Sequence, residues 1–159
     1  MEIKNYTESH FNIIFDIVHK TIEEIYPKYY PRSAVDFFHY HHSREKLEKQ
    51  LSSEVTMVLS DENKFIGTGS LFGNEIKRFF ILPGCQCKGY GKILLNELEK
   101  GIDRDKYDKY VLDSSLGAVE FYRKNGYLYK DYKTINLSDG NYLCYLEMYK
   151  SLVCKKTCT

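Results

Sequence analysis

The sequence has no tryptophan, only three prolines and almost no net charge. Its 23 Lys and Arg residues balance 22 Asp and Glu residues, so long-range electrostatics give little support for binding nucleic acid or an anionic membrane. No apolar run approaches the ~20 residues of a membrane-spanning helix, and the first ten residues lack the basic and apolar regions of a signal peptide. We therefore expect a cytoplasmic protein that binds no membrane and for which nucleic acid is a disfavoured partner.

The sequence also lacks a metal-binding pattern. Its five cysteines are an odd number in scattered places, which predicts free thiols in a reducing compartment. Cys85 and Cys87 are too close together for a zinc knuckle, and Cys154 and Cys158 lie in a polar tail. The three histidines within residues 39–42 have no carboxylate or cysteine at ligand spacing, so we predict no metal site.

The apolar and aromatic content is sufficient for one folded domain. Hydrophobic residues make up 43% of the 159 residues, and 15 Tyr and 9 Phe are among them. Helical spacing of apolar residues predicts one helix over residues 11–26 and another over residues 33–51. Turn residues then separate strand-like segments, which gives the order β-α-α-β-β-β-α-β-α-β-β. We predict an α/β domain with a mixed sheet over residues 1–150, followed by a polar tail over residues 151–159.

The segment around Gly89 and Gly91 carries the strongest chemical signal. A predicted strand ends at Leu82, a short loop follows, and the two glycines open an amphipathic helix. The first turn of a helix has free N–H groups, and glycine lets a phosphate group approach them closely. A P-loop would need Ser or Thr where Ile93 stands, and a dinucleotide fingerprint would need Gly or Ala where Leu94 stands. The segment is therefore a candidate cradle for the phosphate or pyrophosphate of another ligand, and a helix start without a ligand is the alternative.

Two motifs resemble those of one enzyme family. The stretch Gln86–Gly91 has the pattern Q-x-x-G-x-G, which closely resembles the acetyl-CoA signature of the GCN5-related N-acetyltransferases (GNATs). The stretch 115–127 resembles the family's N-x-x-A-x-x-x-Y-x-x-x-G-F block, with matches at Ala118, Tyr122 and Gly126. It departs from that block at its first residue, where Ser115 replaces the family's Asn, and at its last, where Tyr replaces Phe.

The resemblance implies a fold and a reaction. The fold would be a GNAT-like mixed, mostly antiparallel central sheet flanked by helices. The reaction would be direct attack of a primary amine on acetyl-CoA in a ternary complex, without an acyl-enzyme. A small-molecule or peptide amine would be the acceptor, acetyl-CoA the only cofactor, and a homodimer a possible assembly. The alternatives are a catalytically silent CoA-binding sensor or structural module, and an acetyltransferase for a protein amine or charged tRNA.

The resemblance also implies roles for particular residues. Tyr122 would be the general acid, and Glu75, eleven residues before Gln86, would be the base. The alternative for Glu75 is a solvated carboxylate at a strand end. The implied cofactor-binding residues are Phe79, Phe80, Ile81, Gln86, Cys87, Lys88, Gly89, Tyr90, Gly91, Lys92 and Ser115. The implied acceptor-binding residues are Tyr26, Tyr30 and His42, although the aromatic residues near position 30 could equally pack a loop.

Overall fold

The computed structural model describes residues 1–152, so Cys154 and Cys158 lie outside the described residues. The helices and strands, in chain order, are β1 Glu2–Asn5, α1 Phe11–Ile25, α2 Arg32–His41, α3 Arg44–Leu51, β2 Val55–Asp61, β3 Lys64–Phe72, β4 Glu75–Ile81, α4 Tyr90–Lys100, β5 Lys109–Ser115, α5 Val119–Lys124, β6 Leu128–Asn136 and β7 Tyr142–Ser151. No helix among residues 1–152 is both long enough and apolar enough to cross a membrane.

The seven strands form one sheet in the order β1-β2-β3-β4-β5-β7-β6. Every neighbouring pair is antiparallel except β4 and β5, which are parallel. The expected mixed, mostly antiparallel sheet is therefore confirmed. The expected turn between β2 and β3 also forms, because Glu62 and Asn63 both adopt the positive φ angles that a two-residue hairpin turn requires.

Helices cover both faces of the sheet. Successive side chains on a strand point to opposite faces, and the neighbouring residues Val58 and Leu59 accordingly belong to different hydrophobic clusters. Val58 packs with the helices α1, α2 and α3, whereas Leu59 packs with α4. The core therefore consists of two hydrophobic clusters, one on each face of the sheet.

One sequence expectation about the helices is wrong. The helix expected over residues 33–51 is two helices, α2 and α3, because the backbone of Ser43 is extended (ψ 156°). Serine favours this conformation at a helix start, and the Ser43 carbonyl accepts the first hydrogen bond of α3 from the N–H of Leu47 at 2.8 Å. The break leaves His42 at the end of α2 with its ring buried in the protein.

Strands β4 and β5 separate soon after they begin. Their only paired residues are Glu75 and Val111. Asn74 secures this junction, since its carbonyl accepts the N–H of Val111 at 3.0 Å and its side chain donates to the carbonyl of Lys109 at 2.9 Å. Beyond it, a bulge in β4 places Arg78 at φ +46°. The result is a wedge-shaped opening between the carboxyl ends of two parallel strands.

Candidate functional site

A cleft of about 330 Å³ lies in the wedge between β4 and β5. Side chains of α2, α5 and β7 complete its walls. The cleft brings together many of the residues that the sequence indicated: Tyr26, His42, Glu75, Phe79, Phe80, Ser115 and Tyr122. Its lining also includes polar residues that the motifs did not indicate: Lys77, Arg78, Asp113 and Tyr145.

Tyr122 presents a hydroxyl group to the cleft from α5. The residue is only 5% exposed, and its ring packs against Phe121 and Tyr127 with centroid separations of 5.1 and 5.6 Å. No hydrogen bond joins its hydroxyl to another residue of the described chain, 1–152. Burial raises the pKa of Tyr122, so the phenol stays protonated at neutral pH. Tyr122 is therefore a neutral hydrogen-bond donor available to a ligand.

Tyr26 and Ser115 lie at the same end of the cleft as this hydroxyl. Burial raises the pKa of Tyr26 to about 12, and the neighbouring Ser115 hydroxyl opposes part of that rise. The Tyr26 ring is fixed by an edge contact with Phe38 at 4.6 Å. Ser115 ends β5 directly opposite Tyr145 of β7. One residue indicated for the cofactor and one indicated for the acceptor thus meet in one place.

His42 contributes a hydrogen-bond acceptor to the cleft. Burial lowers its pKa to about 3, so the imidazole is neutral at physiological pH. Its Nδ1 lies 2.9 Å from the carbonyl of Phe38, which can only accept, so Nδ1 carries the proton. The lone pair is then on Nε2, and within residues 1–152 no donor occupies it. The ring is held by an edge contact with Phe80, 5.4 Å away.

Two carboxylates line the cleft where β4 and β5 begin to separate. Glu75 starts β4 and pairs with Lys77 at 3.2 Å, and about a third of its side chain is exposed. Asp113 lies on β5, where burial raises its pKa and the charges of Glu75 and Glu147 raise it further. The sequence analysis missed Asp113, although strand alternation places it on the same side of β5 as Ser115.

Tyr30 does not line the cleft. Its hydroxyl donates to the carbonyl of Cys144 at 2.9 Å and accepts the N–H of Leu116 at 2.8 Å. Both hydrogen-bonding directions of the phenol are therefore used to join the loop before α2 to β7 and to the turn after β5. Tyr30 contributes to the packing of the domain rather than to the lining of the cleft.

A row of free backbone N–H groups precedes and opens α4. The N–H groups of residues 87–92 have no hydrogen-bond partner within residues 1–152, and we call these six groups the amide cradle. Cys87 and Gly89 adopt φ angles of +61° and +88°, which turn successive N–H groups toward one side. The positive end of the α4 dipole adds to this field. The cradle has the chemistry of an anion site.

The two glycines of this segment serve different purposes. A Cβ atom on Gly89 would meet no protein atom within 4 Å, so packing does not explain the glycine. A Cβ on Gly91 would lie 3.1 Å from the ring of Phe121, so Gly91 allows α5 to pack against α4. Gly89 instead keeps open a space that a side chain would occupy, at a φ angle that glycine adopts without strain.

Several side chains of this segment are used by the protein itself. Gln86 donates from Nε2 to the carbonyl of Ile81 at 2.9 Å, which ties the loop to the end of β4. The Tyr90 hydroxyl donates to the carboxylate of Asp61. Lys88 donates to a carbonyl of its own loop at 2.9 Å. A ligand in the amide cradle would therefore meet the backbone of this segment before its side chains.

The comparison with protein families agrees with this geometry. The model of the acetyltransferase (GNAT) domain matches residues 25–151, which is most of the chain. The chain belongs to the GNAT family. The match covers the whole cleft and the amide cradle, and it begins within the helical layer that precedes β2.

Solved structures show the same GNAT fold. A GCN5-related N-acetyltransferase from Rhodopseudomonas palustris is 24% identical, with a TM-score of 0.84 and coverage of 95% of each chain. The PaiA N-acetyltransferase of Thermoplasma acidophilum, solved with coenzyme A, is 19% identical with a TM-score of 0.71, and the match covers 95% of this chain and 98% of that one. The putative acetyltransferase yncA of Salmonella typhimurium, solved with acetyl-CoA, is 16% identical with a TM-score of 0.66 and coverage of 96% and 94%.

Two further searches gave negative results. No curated protein matches this GNAT chain in sequence. Within residues 1–152, no group of three or more His, Cys, Asp or Glu side chains is arranged to hold a metal ion.

Proposed function

We propose that this GNAT protein transfers an acetyl group from acetyl-CoA to a primary amine by direct attack. The observation that carries the proposal is the amide cradle, which opens beside a cleft that contains a free buried hydroxyl. Acetyl-CoA has a pyrophosphate suited to the cradle and supplies a thioester whose carbonyl carbon the amine attacks. Two solved proteins of this fold contain coenzyme A or acetyl-CoA, which supports the same ligand.

The chain can bind acetyl-CoA largely through its backbone. The six N–H groups of the amide cradle would hold the pyrophosphate, and Lys88 and Lys92 add positive charge at the same helix start. Beyond Glu75, the edge of β4 that faces β5 has no strand partner and can bond to the amides of the cofactor arm, apart from the Ile81 carbonyl that Gln86 occupies. A backbone N–H in the stretch 79–81 would stabilise the oxyanion that forms when the amine adds.

Gly89→Ala tests the cradle against a matched control. We expect the dissociation constant for acetyl-CoA to rise at least about 10-fold, because the new Cβ occupies the open space and its φ angle is unfavourable. Gly140 has a φ of +84° and equally open surroundings, but it lies in the turn between β6 and β7. Gly140→Ala therefore carries similar strain and should leave calorimetric binding of acetyl-CoA unchanged. Equal affinities of both variants and the wild type would argue against the cradle.

The amine must lose a proton before or during attack. An alkyl amine with a pKa near ~10.4 is mostly protonated at pH 7, so freeing its lone pair costs about 4–5 kcal/mol. Glu75 is the base we propose, acting directly or through a water molecule, because its carboxylate lines the cleft at the fork of β4 and β5. Lys77 pairs with that carboxylate at 3.2 Å.

Glu75→Gln distinguishes two roles for Glu75: a general base, or a carboxylate that only binds the cationic amine. If Glu75 takes the proton, kcat should fall by about 10- to 100-fold at pH 7 and recover partly as the pH approaches the pKa of the amine. If Glu75 only attracts a cationic amine, KM should rise while kcat stays nearly unchanged. A pH–rate profile with the limiting kcat and shape of the wild type would reject the base assignment.

Tyr122 would act on the leaving group. A thiolate with a pKa near that of Cys, ~8.5, is a weaker base than the phenolate of a tyrosine whose pKa is raised above 10. The phenol therefore keeps its proton and stabilises the thiolate through a hydrogen bond, and solvent supplies the final proton. Tyr122 acts in this way as a hydrogen-bond donor to the leaving thiolate and transfers no proton.

A screen for CoA release from acetyl-CoA in the presence of amines, polyamines, amino acids and peptides tests the reaction as a whole. Release with a small amine supports the proposal. Release only with peptides or charged tRNA would favour a macromolecular acceptor. Binding of acetyl-CoA without release in any reaction would favour a CoA-binding module without catalysis.

A further inference from the structure

The register of the sheet lines up three carboxylates across its carboxyl-terminal half. Asp113 of β5 lies directly opposite Glu147 of β7, and Glu147 lies opposite Asp131 of β6. Residues that face each other across a ladder point to the same face. Glu75 joins this row from β4, because it pairs with Val111, two residues before Asp113.

Only one carboxylate of this row has no counterion within residues 1–152. Glu75 pairs with Lys77, Glu147 with Lys130 and Asp131 with Lys133, at 3.2, 3.1 and 2.8 Å. Asp113 forms no ion pair with any described residue, and it lines the cleft. Glu75 and Glu147 raise its pKa in addition to the effect of burial, and the charges of Lys77 and Lys130 oppose part of that rise.

Two largely buried side chains that line the same cleft each have a polar atom with no hydrogen-bond partner within residues 1–152. His42 is 7% exposed and offers the lone pair of Nε2, and Tyr122 is 5% exposed and offers its hydroxyl. Both atoms belong to side chains that line the cleft, so a ligand there can supply the hydrogen bonds that the protein leaves unmade. The lone pair of His42 requires an N–H or O–H donor. Together with two carboxylates, it suits a ligand that carries N–H groups and positive charge.

We propose that the acceptor is a small dication: one primary amine reacts at Glu75, and a second cationic nitrogen binds Asp113. This inference rests on the proposed acetyl transfer. With strands about 4.8 Å apart and about 3.3 Å per residue, the Cα atoms of Glu75 and Asp113 are separated by about 8 Å. A short alkyl chain between two nitrogens spans such a distance, and the cleft of about 330 Å³ has room for it.

Steady-state kinetics with 1,4-diaminobutane and 1-aminobutane test the inference at pH 8. The two probes have the same carbon chain and differ in the second cation. Asp113 is exposed to solvent, so we expect the wild-type kcat/KM to favour the diamine by about 5-fold, the upper scale of one exposed charge pair. In Asp113→Asn the preference should fall toward unity through a higher KM for the diamine.

Asp131→Asn is the matched control. Asp131 belongs to the same row of carboxylates but is paired with Lys133 and does not line the cleft. This variant should keep the preference for the diamine. Equal kcat/KM values for both probes in the wild type, or an unchanged preference in Asp113→Asn, would overturn the inference. Turnover of peptides far above that of either amine would also overturn it, although acetyl transfer itself would stand.

Calorimetry separates this inference from the proposed reaction. The CoA-loaded protein should bind 1,4-diaminobutane more tightly than Asp113→Asn does, and this measurement needs no turnover. If diamine binds in this way but no amine releases CoA from acetyl-CoA, the cation site stands and the proposed reaction fails. If the CoA-loaded protein binds no diamine, the cation site is rejected whatever the outcome of the activity assay.

Discussion

Tyr122→Phe should lower kcat about 100-fold, the scale of losing one hydrogen-bond donor directed at developing charge, and leave acetyl-CoA affinity within a few-fold of the wild type. The substitution removes only the hydroxyl, which has no partner within residues 1–152, so no internal hydrogen bond is lost. The ring contacts with Phe121 and Tyr127 remain. Because the hydroxyl is buried and uncharged, its contribution is expected where negative charge develops on the leaving sulfur.

Tyr26→Phe is the appropriate comparison, since it removes a second, partly buried phenol from the same cleft. We expect it to raise the KM of the amine and to change kcat by only a few-fold, because Tyr26 was indicated as an acceptor-binding residue. Stopped assays of CoA release, with thermal melts of both variants, measure the two effects. A Tyr122→Phe enzyme with the kcat of the wild type would leave Tyr122 as a packing residue.

Glu54→Gln should destabilise the folded protein by about 3–5 kcal/mol, the usual cost of leaving a buried charge without its partner. Glu54 forms an ion pair with Arg78, and their side chains are 5% and 3% exposed. Burial lowers the pKa of Arg78 to about 10, so the guanidinium is still charged at neutral pH. Its Nη1 also donates to Gln50 at 3.0 Å. These contacts hold the bulge of β4 in the conformation that opens the wedge.

The double variant Glu54→Leu/Arg78→Met is the control for this prediction. It removes both charges, so a substantial part of the lost stability should return. Urea unfolding at pH 7 measures the free energies of unfolding of the wild type and both variants. A loss below about 1 kcal/mol in Glu54→Gln would mean that solvent screens the pair and that the bulge does not depend on it.

Local patterns explain what the sequence could predict. The turn between β2 and β3 and the amide cradle both depend on residues within a short stretch, so their conformations can be inferred without knowing the rest of the fold. The extended Ser43 could have been suspected from its preference for helix starts, but the buried ring of His42 depends on Phe80, which is far away in the sequence. Because the prediction used helical periodicity alone, it gave one helix where the structure has α2 and α3.

Long-range pairing explains what the sequence could not predict. Both hydrogen-bond partners of Tyr30 are more than 80 residues away, so its structural role was not visible beside the cleft aromatics. Asp113 acquires its neighbours only when β5 lies between β4 and β7, which requires the register of the whole sheet. The partner of Arg78 likewise comes from the connection that precedes β2.

The single residue pair between β4 and β5 also has a mechanical consequence. A β-sheet resists bending because many ladder hydrogen bonds act together, and at this junction only Glu75 and Val111 are paired. The four strands before the junction and the three after it are therefore joined by far fewer ladder hydrogen bonds than any other neighbouring strands of the sheet. The angle between these two parts of the sheet depends on the helices that pack across both and on the ligand that occupies the wedge between β4 and β5. A ligand whose amides bond to the unpaired edges of β4 and β5 would act as an additional strand and would stiffen the sheet at this junction.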